Sequence, residues 1–187
     1  MTKVMLDACV LYPPLVRSLI LSFAQAGAFE PVRTARILEE WRRAVAAKQG
    51  PAELRAAEDA ILKMAGAFPE AEVAYSPDLA ETLELPDRDD RHVLAASIES
   101  GAETLVTFNL KDFPTRTLSR YNLQARHPDS LLWEHFSHAP DRYGAVVASV
   151  LNAFDVPPDR TRAALKRARL PRLGKAVEAG SFDINQP

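Results

Sequence analysis

Short apolar runs alternate along the chain with longer stretches in which apolar residues recur every three or four positions. That alternation predicts strands separated by helices. K-V-M-L at 3–6 is one such run and stops at Asp7, T-L-V-T at 104–107 is a second, and E-V-A-Y at 72–75 reads as a third. Pro13 and Pro14 open a helix, where a missing N–H is harmless. From there L-V-R-S-L-I-L-S-F-A-Q-A carries apolar residues round most of its circumference and ends near Gly27. Thr34 is placed to cap a helix reaching about Lys48, with Ile37, Trp41 and Val45 on one face. A helix over 51–67 offers Leu54, Ile61 and Met64 to a core, and a short one covers 78–83. The next helix follows the acidic turn at 87–90 and carries Val93, Leu94, Ala96 and Ile98 to a stop at Gly101. Beyond Pro114 the pattern changes to loops and helices, at 129–138, 141–154 and 158–168.

Strands separated by helices imply an α/β class: a mainly parallel central sheet, flanked by helices on both faces, with a helical C-terminal extension. The division expected is a domain over 1–125 and an extension over 126–187. In such sheets ligands gather beyond the carboxyl ends of the strands. Asp7 and the segment F-N-L-K-D each come directly after a strand, so both point to that edge.

Composition narrows the class further. At 187 residues, 47% hydrophobic and 26% charged, the chain can bury a sizeable core and is neither disordered nor a membrane type. The N-terminus lacks the long apolar region of a signal peptide. Cys9 is the single cysteine, which excludes an internal disulfide and suits a reducing, cytoplasmic compartment. A net charge of −2 says little, but seven Lys or Arg and no acid lie between Arg160 and Lys175. That strip suits either RNA or an acidic protein segment, and equally a solvated helix face.

Four acids stand out by position. Asp7 ends the first strand, Glu40 lies on the second helix beside Glu39, Asp90 begins the helix after D-R-D-D, and Asp112 follows T-L-V-T-F. Each alone also fits a cap, a turn or a solvated helix face. If they converge, they offer hard oxygen ligands suited to Mg²⁺ or Mn²⁺. Without a cation such a cluster repels itself and raises its own pKa values.

The order and spacing of four fragments resemble the PIN-domain ribonucleases, particularly the VapC-like toxins of bacterial toxin–antitoxin pairs. The fragments are V-M-L-D-A-C-V-L-Y, I-L-E-E-W-R-R, L-P-D-R-D-D-R-H-V-L-A-A and L-V-T-F-N-L-K-D-F-P. The resemblance covers roughly residues 1–125. It implies a PIN-like fold and an endoribonuclease that hydrolyses RNA phosphodiesters with Mg²⁺-activated water, Mn²⁺ being the other cation of this kind. It carries the site onto Asp7, Glu40, Asp90 and Asp112 as catalytic and metal-holding residues, with Asn109 in support. Glu39 remains the alternative to Glu40 by a one-residue register. An antitoxin protein and a homodimer are the partners it implies. Two departures matter: the common D-T/S-N is D-A-C here, and some sixty residues lie beyond the resemblance.

Competing readings are defined by the same residues. An aspartate-first Mg²⁺ phosphatase needs an acid two positions after Asp7, where Cys9 stands. A catalytically weak binding module of the same fold would use the basic C-terminal strip for RNA or a partner. His92, two positions past Asp90, is assigned a surface or packing role, because such neighbours do not share a helix face. Arg42, Arg43 and Lys111 could meet an RNA backbone. His127, His135 and His138 form no zinc-ligand set, and Trp41 and Trp133 belong to core or interface.

Overall fold

The K-V-M-L run becomes the centre of a sheet because it is short, apolar and bounded by polar residues. In the computed structural model, which describes residues 1–181, the elements follow in chain order. They are β1 (Lys3–Leu6), α1 (Ala8–Leu11), α2 (Pro14–Gln25), β2 (Glu30–Val32), α3 (Ala35–Lys48), α4 (Pro51–Ala67), α5 (Pro77–Thr82) and α6 (Arg91–Ser100). β3 (Thr104–Val106), α7 (Thr115–Leu118), β4 (Gln124–Arg126), α8 (Pro128–His138), α9 (Pro140–Ala153), α10 (Thr161–Arg167) and α11 (Pro171–Ser181) complete them. Of the expected extension over 126–187, residues 182–187 lie outside the described residues.

The strands form one sheet in the order β2-β1-β3-β4, and every pairing is parallel. Val4, Met5 and Leu6 of β1 are all buried, as are Thr104, Leu105 and Val106 of β3. Successive strand residues point to opposite faces, so both faces of the central pair are covered. Leu6 pairs with Val106, which sets Asp7 beside Thr107 at the carboxyl edge. β1 is joined to β2 on one side and β3 on the other, so that edge is the topological switch point of the sheet.

Two strands were not expected from the pattern. β2 is only E-P-V, and Pro31 within it cannot donate to a ladder; it is tolerated because β2 is an edge strand. β4 is Q-A-R at the opposite edge and has no apolar signature. The strand expected at 72–75 is a correction: only Glu72 pairs, in an isolated parallel bridge with Arg33. Glu72 follows a single 3₁₀ turn (Pro69–Ala71) and is exposed, leaving too little buried surface to extend the pairing. The helices follow the pattern closely. Thr34 Oγ1 accepts the Ile37 N–H at 3.1 Å, and Gly101 closes α6 at φ 68°, a conformation that favours glycine. The helix expected at 158–168 is a 3₁₀ turn (Pro158–Arg160) followed by α10, and α11 comes in addition.

Internal packing distinguishes two units: Met1–Tyr12 with Phe29–Arg126, and Pro13–Ala28 with the described residues from His127 to Ser181. α2 therefore belongs by its contacts with the C-terminal helices. Phe23 of α2 stacks on Tyr143 of α9 with ring centroids 4.6 Å apart. In the same unit Asp129 of α8 is buried and accepts the N–H groups of Arg172 and Leu173 at 3.0 Å each. It caps α11 from another helix. Among the described residues, no helix is long and apolar enough to cross a membrane.

Candidate active site

Four segments deliver carboxylates to the switch point. Asp7 ends β1 because its backbone N–H still pairs with Val106 O at 3.2 Å while the chain turns into α1. Its side chain is buried, and it caps nothing on α1. Thr107 Oγ1 donates to Asp7 Oδ2 at 2.7 Å, and the Cys9 thiol lies 3.0 Å from the same oxygen. Thr107 in turn accepts the Asn109 N–H at 2.9 Å. Cys9 Sγ accepts the Phe108 N–H at 3.2 Å. The residues after β1 and β3 are thus tied together by side chains.

Asp90 occupies the N-cap position of α6, yet its side chain makes no capping hydrogen bond. Its carboxyl is pushed up to about 7, by burial first and then by the charges of Asp7, Asp87, Asp112 and Glu40. The structure therefore brings all four predicted acids into one electrostatic cluster and adds Asp87. Asp87 also accepts the Asp89 N–H at 2.9 Å, the turn that the D-R-D-D spacing suggested. Asp112 closes a 3₁₀ turn (Leu110–Asp112) through its N–H to Asn109 O. Asn109 is exposed, and it joins the hydrogen-bond network through its backbone, the N–H to Thr107 and the carbonyl to Asp112.

The choice between Glu39 and Glu40 is a matter of helix face. Glu39 points away and pairs with Arg42 at 2.8 Å and Arg43 at 2.9 Å. Arg42 also reaches Glu58 at 3.0 Å, so both arginines are engaged with carboxylates. Glu40, one position and about 100° further round α3, acts on Asp90. It accepts from Arg36 Nε at 3.1 Å and from His92 Nε2 at 2.9 Å. Burial raises its carboxyl, but the hydrogen bonds and charges of His92 and Arg36 outweigh that and hold it below its ordinary value.

Two contributors escaped the sequence reading. The pattern makes Thr107 the end of a strand, and its place one residue past β3, opposite Asp7, is the signal for its role. His92 has the packing role assigned to it, being 2% exposed, but it also donates to Glu40. Its i+2 spacing turns it away from Asp90 and toward α3. Cys9 is more than a small apolar filler: its sulfur joins Asp7, Thr107 and Phe108. Burial, and next the Asp7 charge, push the thiol up to about 12, so it is no nucleophile.

A divalent cation suits this donor set chemically, because the cluster is short of positive charge, as the Asp90 carboxyl shows. The carboxylates are gathered but not closed: among the described residues, no three His, Cys, Asp or Glu side chains are already arranged to hold a metal ion.

Comparison with known proteins points the same way. A segment of 69 residues, 37% of this chain, is 41% identical to the Mycobacterium tuberculosis protein named "Putative ribonuclease VapC50". The match spans 41% of that relative's length. No solved structure matches significantly. The profile of the PIN domain matches residues 2–111, more than half of the chain and three of the acids gathered above, Asp7, Glu40 and Asp90, with Asp112 the next residue beyond it, and the chain belongs to the PIN domain family.

Proposed function

We propose that the chain is a divalent-metal-dependent endoribonuclease, with Mg²⁺ as its cation and Mn²⁺ able to replace it. The observation that carries this reading is the convergence of Asp7, Glu40, Asp87 and Asp112 on Asp90. Asp7, Glu40, Asp90 and Asp112 would hold the cation. When bound, a divalent cation supplies Lewis acidity toward phosphodiester oxygens and makes water a stronger nucleophile. Thr107 and Cys9 orient Asp7 by hydrogen bonding to Oδ2, and the Asn109 N–H orients Thr107. Once deprotonated, Asp90 would also serve as a base toward an attacking water. The relative named as a ribonuclease supports RNA as substrate, and its VapC name supports an antitoxin protein as partner. A homodimer and a cytoplasmic location accompany that reading.

The test is cleavage of labelled single-stranded and structured RNAs with Mg²⁺, Mn²⁺ or EDTA, beside Asp7→Asn and Asp90→Asn proteins prepared identically. Metal-dependent cleavage lost in both variants is the expected result. Cleavage that survives both would remove the site from the argument.

A second reading has one observation in its favour. Lys166, Arg167 and Lys175 of α10 and α11 are exposed, whereas the neighbouring Arg162 is paired with Glu178 at 2.6 Å. A catalytically weak RNA-binding module would use these cations. Metal-independent RNA binding without cleavage by any of the proteins would favour it.

A further inference from the structure

Glu40 is held from one side only. Both of its donors, Arg36 Nε and His92 Nε2, lie on Oε1, and no described residue donates to Oε2. The donors differ in kind. Arg36 is 46% exposed on the same helix, and such i,i+4 pairs contribute only a few tenths of a kcal/mol because water screens them and the long side chain must be ordered. The His92 side chain is 1% exposed and comes from a different helix, α6. Its ring is fixed by burial and by the ring of Tyr75, tilted at 45° with centroids 5.8 Å apart.

Nε2 must carry the ring hydrogen, since its partner is a carboxylate oxygen. The other ring nitrogen, Nδ1, is buried with no hydrogen-bond partner among the described residues. Every polar contact of this imidazole therefore goes to Glu40. A buried histidine with one nitrogen unsatisfied is costly for packing alone, where a leucine or phenylalanine would fill the space without that penalty. The residue makes sense where its single N–H has a task.

We propose that His92 is a positioning residue for the metal site: it pins Glu40 through Oε1 and leaves Oε2 as the oxygen available to a divalent cation. The inference rests on the proposed metal-dependent reading and adds a residue to it. A free glutamate must order several side-chain torsions on binding a cation, whereas a glutamate pinned at one oxygen has lost most of that freedom on folding. Partners of this kind, one bond removed from the metal, are typically worth 10–100-fold in metal affinity.

The experiment is calorimetric titration of Mn²⁺ into the full chain. The proteins are the natural sequence, His92→Phe, His92→Gln, and Glu40→Gln with and without His92→Phe, each checked for folding by circular dichroism. His92→Phe keeps the ring volume and removes the donor, and is expected to weaken Mn²⁺ about tenfold or more. His92→Gln restores an N–H at similar reach and should come within about threefold of the natural chain. In the Glu40→Gln background, His92→Phe should change the affinity by less than about twofold, as expected for two residues acting as one unit.

Unchanged Mn²⁺ affinity in His92→Phe would overturn the proposal. So would a His92→Gln protein as weak as His92→Phe, or an undiminished loss in the Glu40→Gln background. Failure of the natural chain to bind Mn²⁺ at all would overturn the metal-dependent reading together with this one, which distinguishes the two failures. If His92→Phe does not fold, nitrogen-15 NMR of the natural chain during Mg²⁺ titration gives the answer. The His92 ring signals should move to saturation while those of His127, His135 and His138 stay still, and unmoved His92 signals would overturn the proposal.

Discussion

Asp90 carries a proton at pH values where an isolated aspartate has long lost it, because burial and four neighbouring carboxylates oppose its charge. The folded chain keeps that proton up to about pH 7, whereas the unfolded chain sheds it near the ordinary value of 3.8. Between those values the folded state binds more protons, so the stability of the metal-free protein falls as pH rises. Asp90→Asn should remove this contribution. Its melting temperature should exceed that of the natural chain at pH 8 and approach it near pH 4, and saturating Mg²⁺ should recover the natural chain's deficit. Asp7 depends on a different neighbour. Thr107→Val deletes the 2.7 Å donor to its buried carboxylate and should cost about 1–3 kcal/mol in urea unfolding, while Thr107→Ser should retain most of that. Cys9 stands at about 12 against an ordinary 9.0. At pH 8 its thiolate fraction is lower by roughly a thousandfold, and a disulfide reagent should modify it correspondingly slowly until the chain is unfolded.

Helices and strands differ in how far local pattern decides them. α3 and α4 run between the capping and proline signals that predict them, because those signals act within one or two turns. β2 and β4 are three residues each and lie at the edges. Their existence depends on what the neighbouring strand offers, and neither E-P-V nor Q-A-R has enough residues to show a period. The Glu39 and Glu40 pair shows the same limit within a helix, since both lie on α3 and only α6 distinguishes their faces. α11 depends on a residue 43 positions upstream of its first capped N–H, namely Asp129. Asp129→Ala leaves two N–H groups at that helix start without their acceptor and should lower stability by about 2–3 kcal/mol. Asp129→Asn, which keeps one acceptor oxygen, should lose less, and urea denaturation of the full chain measures both.

Across the whole chain, charge is sorted into an acidic cluster at the sheet edge and a basic surface on α10 and α11. If that basic surface meets RNA phosphates, replacing Lys166, Arg167 and Lys175 with Gln in an Asp90→Asn background should flatten the salt dependence of binding. For single strands each phosphate contact contributes about 0.7 to the slope of log K against log salt, so the slope should fall by about 2. An unchanged slope would place the RNA contacts elsewhere. The α/β class, the limits of α2 to α6, α8 and α9, β1 and β3, and the candidacy of Asp7, Glu40, Asp90 and Asp112 were legible from residue order. Apolar period, caps and carboxylates after strands are local properties, and the resemblance needed only their sequence. Tertiary structure alone decided that β1 lies between β2 and β3, so that Thr107 stands beside Asp7. It also decided that Glu40 rather than Glu39 turns toward Asp90, and that His92 reaches Glu40. Those pairings join residues up to 100 positions apart, and distances across a fold are set by how buried surfaces pack, which no local period encodes.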